Sequence, residues 1–398
     1  NRGGKGLALG YESREIGFGN KEYLVAPLNT QGKLIDFSFK EAKFEDTATM
    51  RAALNDPRDQ LERIAEVNAQ FLGYSRDSRD KVANPSFKYR VGQNVIEIAT
   101  SISNRGEIAV SITGVLKAPQ VFALNPQFFK GATDSTGTLA QDQWTLPAGK
   151  INATLRGKAV LAEKVWRPEP SKYRFSPAPL VKAAATAQLP AGYTIENYYA
   201  PKDNYGRDQL FEALGLDLAK DNTVVVATRT AGIWRLVKGE WHLFAEGLFD
   251  SLGVVVEDNK GLVLVAGQKA ELTRISDING DGRADRYETL FDAHSYHSNY
   301  HTYMHGPVRT RDGDYCFALN LAHGTEGLYT AGGNVMGTFG GFNGWAVCVE
   351  PRGKFDLFAN GLRSPASLGV SPDGRLWYTD NQGDFVGTSK MYALKKGG

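Results

Sequence analysis

Cysteine is almost absent. Only Cys316 and Cys348 occur among 398 residues, which excludes both a disulfide framework and a C-x-x-C-H haem attachment. Both lie in apolar stretches, Tyr315-Cys-Phe-Ala-Leu319 and Ala346-Val-Cys-Val349, and are expected as buried thiols, with a disulfide between them as the alternative. No apolar run approaches the ~18 residues that cross a bilayer as a helix, so no transmembrane segment is expected. Neither sign of charge dominates. Forty-six Lys and Arg against 44 Asp and Glu leave +2, which gives no reason to propose nucleic acid or an anionic membrane surface as partner. The chain also opens at Asn1 with no methionine and no signal-like segment, as a processed secreted form or a fragment would. The expected compartment is periplasmic or extracellular.

What is present describes ordinary globular material, 42% hydrophobic and 23% charged. Five of the 16 prolines fall between Trp166 and Pro190. Proline fixes φ and cannot donate to a ladder, so 166–189 reads as an extended connector between residues 1–165 and 190–398. In the first half, Asp56, Pro57 and an apolar face of Leu61, Ile64, Ala65, Phe71 and Leu72 predict a helix that Gly73 ends. Strand-like pieces follow at Val95–Ile98, Glu107–Thr113, Gln120–Leu124 and Ile151–Leu155, several alternating apolar and polar. This half reads as a β-sandwich-like domain with a helix.

The second half repeats itself. Leu214-Gly-Leu-Asp-Leu218 leads through Asp221-Asn222 to Val224–Thr228. Leu252-Gly-Val-Val-Val256 leads through Asn259-Lys-Gly261 to Leu262–Val265. Gly306–Arg309 and Leu368–Val370 lead likewise through Asp-Gly turns into second strands. Each copy is a hairpin signature, and further strands lie between copies. Four strands per unit at a spacing of ~40–60 residues predict propeller blades. The fold class is therefore all-β: a sandwich-like domain, then an apparently incomplete β-propeller of about four blade-like units.

Four of the six histidines, His294, His297, His301 and His305, crowd into twelve residues with tyrosines between them. On a helix their spacing would line one face and suggest a metal. The segment instead joins two blades, where a loop beside the central channel is expected. Three readings stay open there: a zinc or haem site, a catalytic base with neighbours, and a polar aromatic loop that stacks on a glycan. Asp277-Ile-Asn-Gly-Asp-Gly-Arg-Ala-Asp-Arg-Tyr-Glu288 matches the twelve-position calcium loop, with Asp277, Asn279, Asp281, Asp285 and Glu288 as oxygen donors. Strands rather than helices flank it, so a solvated turn is the competing reading.

These residues resemble the six-bladed propellers of the pyrroloquinoline quinone (PQQ)-dependent glucose and sorbosone dehydrogenases, from about Leu189 onward. The resemblance implies oxidation of a sugar or related alcohol, with a histidine as base on the hydroxyl. His301 best matches that position and His305 is its competitor. Gly361-Leu-Arg-Ser-Pro365 supplies Arg363 for the quinone. Tyr378-Thr-Asp-Asn-Gln-Gly383, with Asp380 and Asn381, matches the region that holds calcium beside the cofactor. Where the family carries Gly-Asp to orient its histidine, this chain has Asn320-Leu321. A six-bladed ring also needs two more units, from a partner chain or a missing C-terminal segment. The alternative function is a non-catalytic propeller and sandwich that binds carbohydrate or joins an extracellular assembly.

Overall fold

The computed structural model describes residues 25–27, 69–78, 84–103, 107–124, 129, 133–134, 136–158, 177–183, 188–202, 206–294, 303–323, 336–337, 342–382 and 387–398. These residues build an all-β molecule. Three four-stranded units and one three-stranded unit follow each other along the second half. The first blade comprises Ala213–Leu218, Val224–Thr228, Ile233–Val237 and Glu240–Ala245, with Ala178–Pro179 added at its outer edge. Gly253–Val256, Val263–Gly267, Leu272–Ser276 and Arg286–Phe291 form the second. Met304–Arg309, Tyr315–Leu319, Ala346–Val349 and Phe355–Ala359 form the third, and Pro365–Val370, Leu376–Asp380 and Lys390–Ala393 the fourth. All pairs within a blade are antiparallel, as strands joined in hairpins are.

Successive inner strands lie side by side, so each blade faces the next. The approach is close enough to demand glycine. A β-carbon on Gly253 would lie 2.1 Å from the carbonyl oxygen of Gly306, nearer than any real contact. Apolar cores fill the spaces between blades: Val225, Ala227 and Ile233 with Val254 and Leu264, then Val265 and Leu272 with Phe317 and Val347.

The N-terminal half is a sandwich. Its long strands Asn94–Ile102, Glu107–Leu116 and Gly149–Lys158 pair in sequence. A second sheet, with Gln120–Leu124 and Gln143–Leu146, turns Phe122, Trp144 and Leu146 onto Ile96, Ile112 and Leu155. Residues 56–68 of the expected helix lie outside the described residues. Its predicted end is corrected: Phe71, Leu72 and Gly73 belong to the strand Ala69–Ser75. That strand pairs with Ser86–Val91 on one side and with Arg286–Phe291 of the second blade on the other. Gly73 does not stop a helix there. At φ +126° it lets the backbone pass Tyr287, whose carbonyl oxygen a β-carbon would meet at 2.0 Å. One ten-stranded sheet thus runs from the second blade into the sandwich.

The cysteines also depart from expectation. Cys316 and Cys348 are register partners in neighbouring strands of the third blade, and their sulfurs are bonded. Two thiols directly opposite each other on one face have the reach a disulfide needs, and the spacing of 32 residues conceals that proximity in the sequence.

Candidate functional site

Between the third and fourth blades, residues in and just beyond the strand ends line an open cavity of about 620 Å³. His305 enters from the inner strand of the third blade and Asn320 from the end of its second strand. The fourth blade contributes Ser364, Asp380, Asn381 and Lys390, and Tyr303 forms part of the wall.

Asp380 organises this site. Its side chain is fully buried, and one oxygen accepts from the backbone N–H of Ser364 at 2.7 Å and of Asn381 at 3.0 Å. The other accepts from the Arg363 N–H at 3.1 Å and lies 3.4 Å from the Lys390 ammonium. Three N–H donors and a cation satisfy a carboxylate that burial would otherwise penalise. The loop from Gly361 to Pro365 is fixed as a consequence, and the Arg363 carbonyl in turn receives the Leu321 N–H.

His305 is held differently. Burial draws its pKa down to about 4, against the opposing effect of a hydrogen bond with the backbone of Ala366. The ring is therefore neutral at pH 7. Its Nε2 is buried and has no hydrogen-bond partner among the described residues. In the tautomer that carries its proton on Nδ1, Nε2 is a lone-pair acceptor. The buried Oδ1 of Asn320 is a second unpartnered acceptor, while its amide nitrogen reaches Ser364 Oγ at 3.5 Å. Two orphan acceptors beside one cavity call for a ligand that donates hydrogen bonds.

Tyr303 is fixed by cations. Lys269 lies 4.8 Å from its ring centre and Arg229 5.5 Å, and its ring meets that of His305 edge-on at 6.1 Å. Burial lowers the Lys269 pKa to about 8.

The structure thus brings together Asp380, Asn381, His305 and the backbone of Arg363. His297 and His301 lie outside the described residues. His294 is elsewhere, stacked on Phe291 at 5.6 Å with Nε2 3.0 Å from the Lys269 carbonyl oxygen, and burial lowers its pKa to about 4. His305 sits in a strand, so the spacing that would align histidines on a helix does not apply to it. Ser364 lies inside Gly361–Pro365, Tyr303 inside the histidine-rich stretch and Asn320 where the family's Gly-Asp would be, yet the sequence marks none of them as a site residue, and Lys390 belongs to no motif. Only their places at strand ends facing this side of the blades would have marked them.

The calcium-like loop is engaged within the protein. Asp277 accepts from the N–H groups of Gly280 at 2.6 Å and Gly282 at 2.8 Å, and Asn279 Oδ1 from that of Asp281. Asp281 takes the Ser78 hydroxyl at 2.6 Å, and Asp285 takes the Ser78 N–H at 3.1 Å. Glu288 lies in the strand Arg286–Phe291, 4.0 Å from the Lys88 ammonium. Among the described residues no three His, Cys, Asp or Glu side chains converge as metal ligands.

No protein-family profile matches the chain. No curated protein matches it either. Solved structures do. An oxidoreductase named as a glucose dehydrogenase from Thermus thermophilus is 15% identical over 48% of this chain and 64% of its own, with a TM-score of 0.38. The PQQ-bound aldose sugar dehydrogenase from Streptomyces coelicolor is 16% identical over 48% and 61%, with a TM-score of 0.37. The calcium structure of a carbohydrate-active enzyme of family AA12 from Trichoderma reesei is 12% identical over 48% and 53%, with a TM-score of 0.32. The chain spans less than two thirds of the length of each of these, and at such identities the likeness is one of fold.

Proposed function

We propose that the cavity between the third and fourth blades binds a sugar or related polyhydroxy alcohol and serves its oxidation with PQQ, outside the cytoplasm. The observation that carries this reading is the pair of unpartnered acceptors, His305 Nε2 and Asn320 Oδ1. A vicinal diol presents two O–H donors, one for each acceptor. The cavity lies within the range of small-molecule sites.

The cavity has the size for a planar quinone. Lys390 lies on its wall, paired with the Asp380 carboxylate, and Asp380 also holds the loop that carries Arg363. Bound there, PQQ would supply the two-electron acceptor that no side chain can provide. His305, neutral above pH ~4, accepts the hydroxyl proton at Nε2. Asn320 Oδ1 orients a neighbouring hydroxyl, and Tyr303 offers an apolar ring face to the carbon skeleton. Calcium belongs to this reading too, at Asp380 and Asn381 or at the loop Asp277–Glu288. Calorimetry on chelated protein, with Asp281→Ala for comparison, tests the latter. The disulfide supports an oxidising compartment. A partner chain or a further C-terminal segment would cover the open ends of the blade row, and residues 1–165 and 190–398 act as its two units.

The decisive experiment reconstitutes the protein with PQQ and calcium and follows aldose-dependent dye reduction. His305→Ala should abolish reduction while PQQ still binds. If His301→Ala abolishes it and His305→Ala does not, the base is His301. No reduction with PQQ bound sinks the redox reading. One observation favours a second reading: a histidine with a pKa near 4 is a weak proton acceptor but a good hydrogen-bond acceptor. A non-catalytic carbohydrate site would bind polyols without quinone, and lose them in Asn320→Ala and His305→Ala alike.

A further inference from the structure

The turn Gln268-Lys-Ala-Glu271 joins the second and third strands of the second blade. A connecting turn ordinarily lies in water. All four residues of this one are buried, and Lys269 is only 3% exposed. The turn is pinned from several sides. The Lys269 N–H donates to the Phe249 carbonyl at 2.9 Å, and the Lys269 carbonyl lies 3.0 Å from His294 Nε2. Gln268 Oε1 accepts the Phe249 N–H at 2.7 Å. A lysine held this way cannot extend its ammonium into solvent, as surface lysines do.

The ammonium lies instead beside two rings, 4.8 Å from the centre of Tyr303 and 5.7 Å from that of Phe249. Ring faces attract a cation most strongly where water is excluded. Arg229, which follows the second strand of the first blade, lies 5.5 Å from the same Tyr303 ring and is held by Asp250 at 3.2 Å and Glu212 at 3.7 Å. Tyr303 is also part of the cavity wall. One ring thus touches the cavity and, in addition, cations carried by the first and second blades.

We propose that Lys269 is a positioning residue for the sugar site: its ammonium holds the Tyr303 ring as the surface on which the sugar stacks, and so sets how tightly the sugar is bound. The inference rests on the sugar reading of the cavity and extends it to the second blade. A ring that has lost its cation gains freedom, and that freedom must be given up when sugar binds. The loss falls on affinity, because Lys269 acts on the wall and not on the proton transfer at His305. It also follows the charge. Burial lowers the Lys269 pKa to about 8, so the charge present at pH 7 fades as the pH rises through 8. Asp250, Arg229 and Tyr303 face that ammonium. Burial raises the Tyr303 pKa and lowers that of His294 to about 4, whereas Glu271, two residues along the turn, stands at about 8 and shares the range.

Lys269→Met keeps the reach of the side chain and removes its charge. In protein reconstituted with PQQ and calcium, with glucose and dye, this variant should raise KM about 10-fold and change kcat by less than about 2-fold. Wild-type KM should rise between about pH 7 and pH 9 while that of Lys269→Met stays level. A rise that persists in Lys269→Met belongs to Glu271 and overturns the proposal. Tyr303→Leu should raise KM by itself, and Lys269→Met added to it should cost nothing more; additive losses also overturn the proposal. A second measurement needs neither sugar nor a stable variant. The ring NMR resonances of Tyr303, assigned by their loss in Tyr303→Phe, should shift in the wild type as the pH passes through about 8. A Tyr303 ring that titrates in a protein that neither binds nor oxidises glucose sinks the sugar reading and leaves the Lys269–Tyr303 linkage standing. A ring indifferent to that titration overturns the linkage itself.

Discussion

Two kinds of buried titratable side chain set opposing pH limits on this fold. Glu271 is 4% exposed and accepts the hydroxyls of Thr273 at 2.5 Å and Thr289 at 3.1 Å. Burial still prevails, and its pKa rises to about 8. A carboxyl whose folded pKa lies above its unfolded value contributes stability fully below about 4.5 and loses it as the pH rises through 8. His294 and His305 act in reverse. Burial lowers both to about 4, so their contribution is present above about 6.5 and is lost as the pH falls through 4. Glu271→Gln removes the alkaline loss. Relative to wild type, the variant should gain stability between pH 5 and pH 8, by an upper bound on the order of 4 kcal/mol. Urea unfolding at both pH values measures this, and a difference that does not change with pH would show that Glu271 is ionised throughout. The same burial leaves His305 neutral, so an NMR titration of its ring should find no protonation above pH 5.

At the scale of the element, the blade contacts explain which glycines matter. A methyl at Gly253 strikes the Gly306 backbone, and Gly253→Ala should cost on the order of 3 kcal/mol or more. Gly369 of the fourth blade lies instead beside its hairpin turn, opposite Trp377, and nothing lies within 4 Å of a β-carbon there. Gly369→Ala should be neutral or stabilise by up to about 1 kcal/mol, through the unfolded chain. Equal losses at the two positions would contradict the blade packing. The hairpins themselves were legible in the sequence because Asp-Asn, Asn-Lys-Gly and Asp-Gly turns are local chemistry, as were the alternating strands of the sandwich. The strand Ala69–Ser75 was not. Phe71-Leu72-Gly73 suits the end of a helix as well as a strand, and what decides is a partner more than 200 residues away, since Gly73 is opposite Glu288. The site divides in the same way. Asp380 and Arg363 belong to short motifs within one blade. Asn320, Ser364 and Lys390 converge with His305 only because two blades stand side by side, which no local pattern encodes.

Among the described residues, the strand Ala69–Ser75 and Ser78 join the sandwich to the blades by more than the chain. Ala69–Ser75 hydrogen-bonds to the second blade, Tyr74 stacks on Tyr287 at 4.6 Å, and Ser78 inserts among Asn279, Asp281 and Asp285. The loop that looks like a calcium site therefore works as a socket for the sandwich. Asp285→Ala leaves the N–H groups of Ser78, Ile278 and Asn279 without their shared acceptor, and should lower stability by about 2–4 kcal/mol. In scanning calorimetry the sandwich and the blades should melt together in the wild type and separate in this variant. The disulfide acts on the same balance from within the third blade. Bonding Cys316 to Cys348 closes a loop of 32 residues, which restricts the unfolded chain by about 3–4 kcal/mol if its effect is entropic. Because the second and third blades share the core of Val265, Leu272, Phe317 and Val347, opening the third should loosen its neighbour as well. Reductant, or Cys316→Ala with Cys348→Ala, should therefore lower the melting temperature of the whole row rather than release one small transition. A melt unchanged by reductant would mean that the two strands hold their register without the bond. A separate low-temperature step would mean that the third blade unfolds alone.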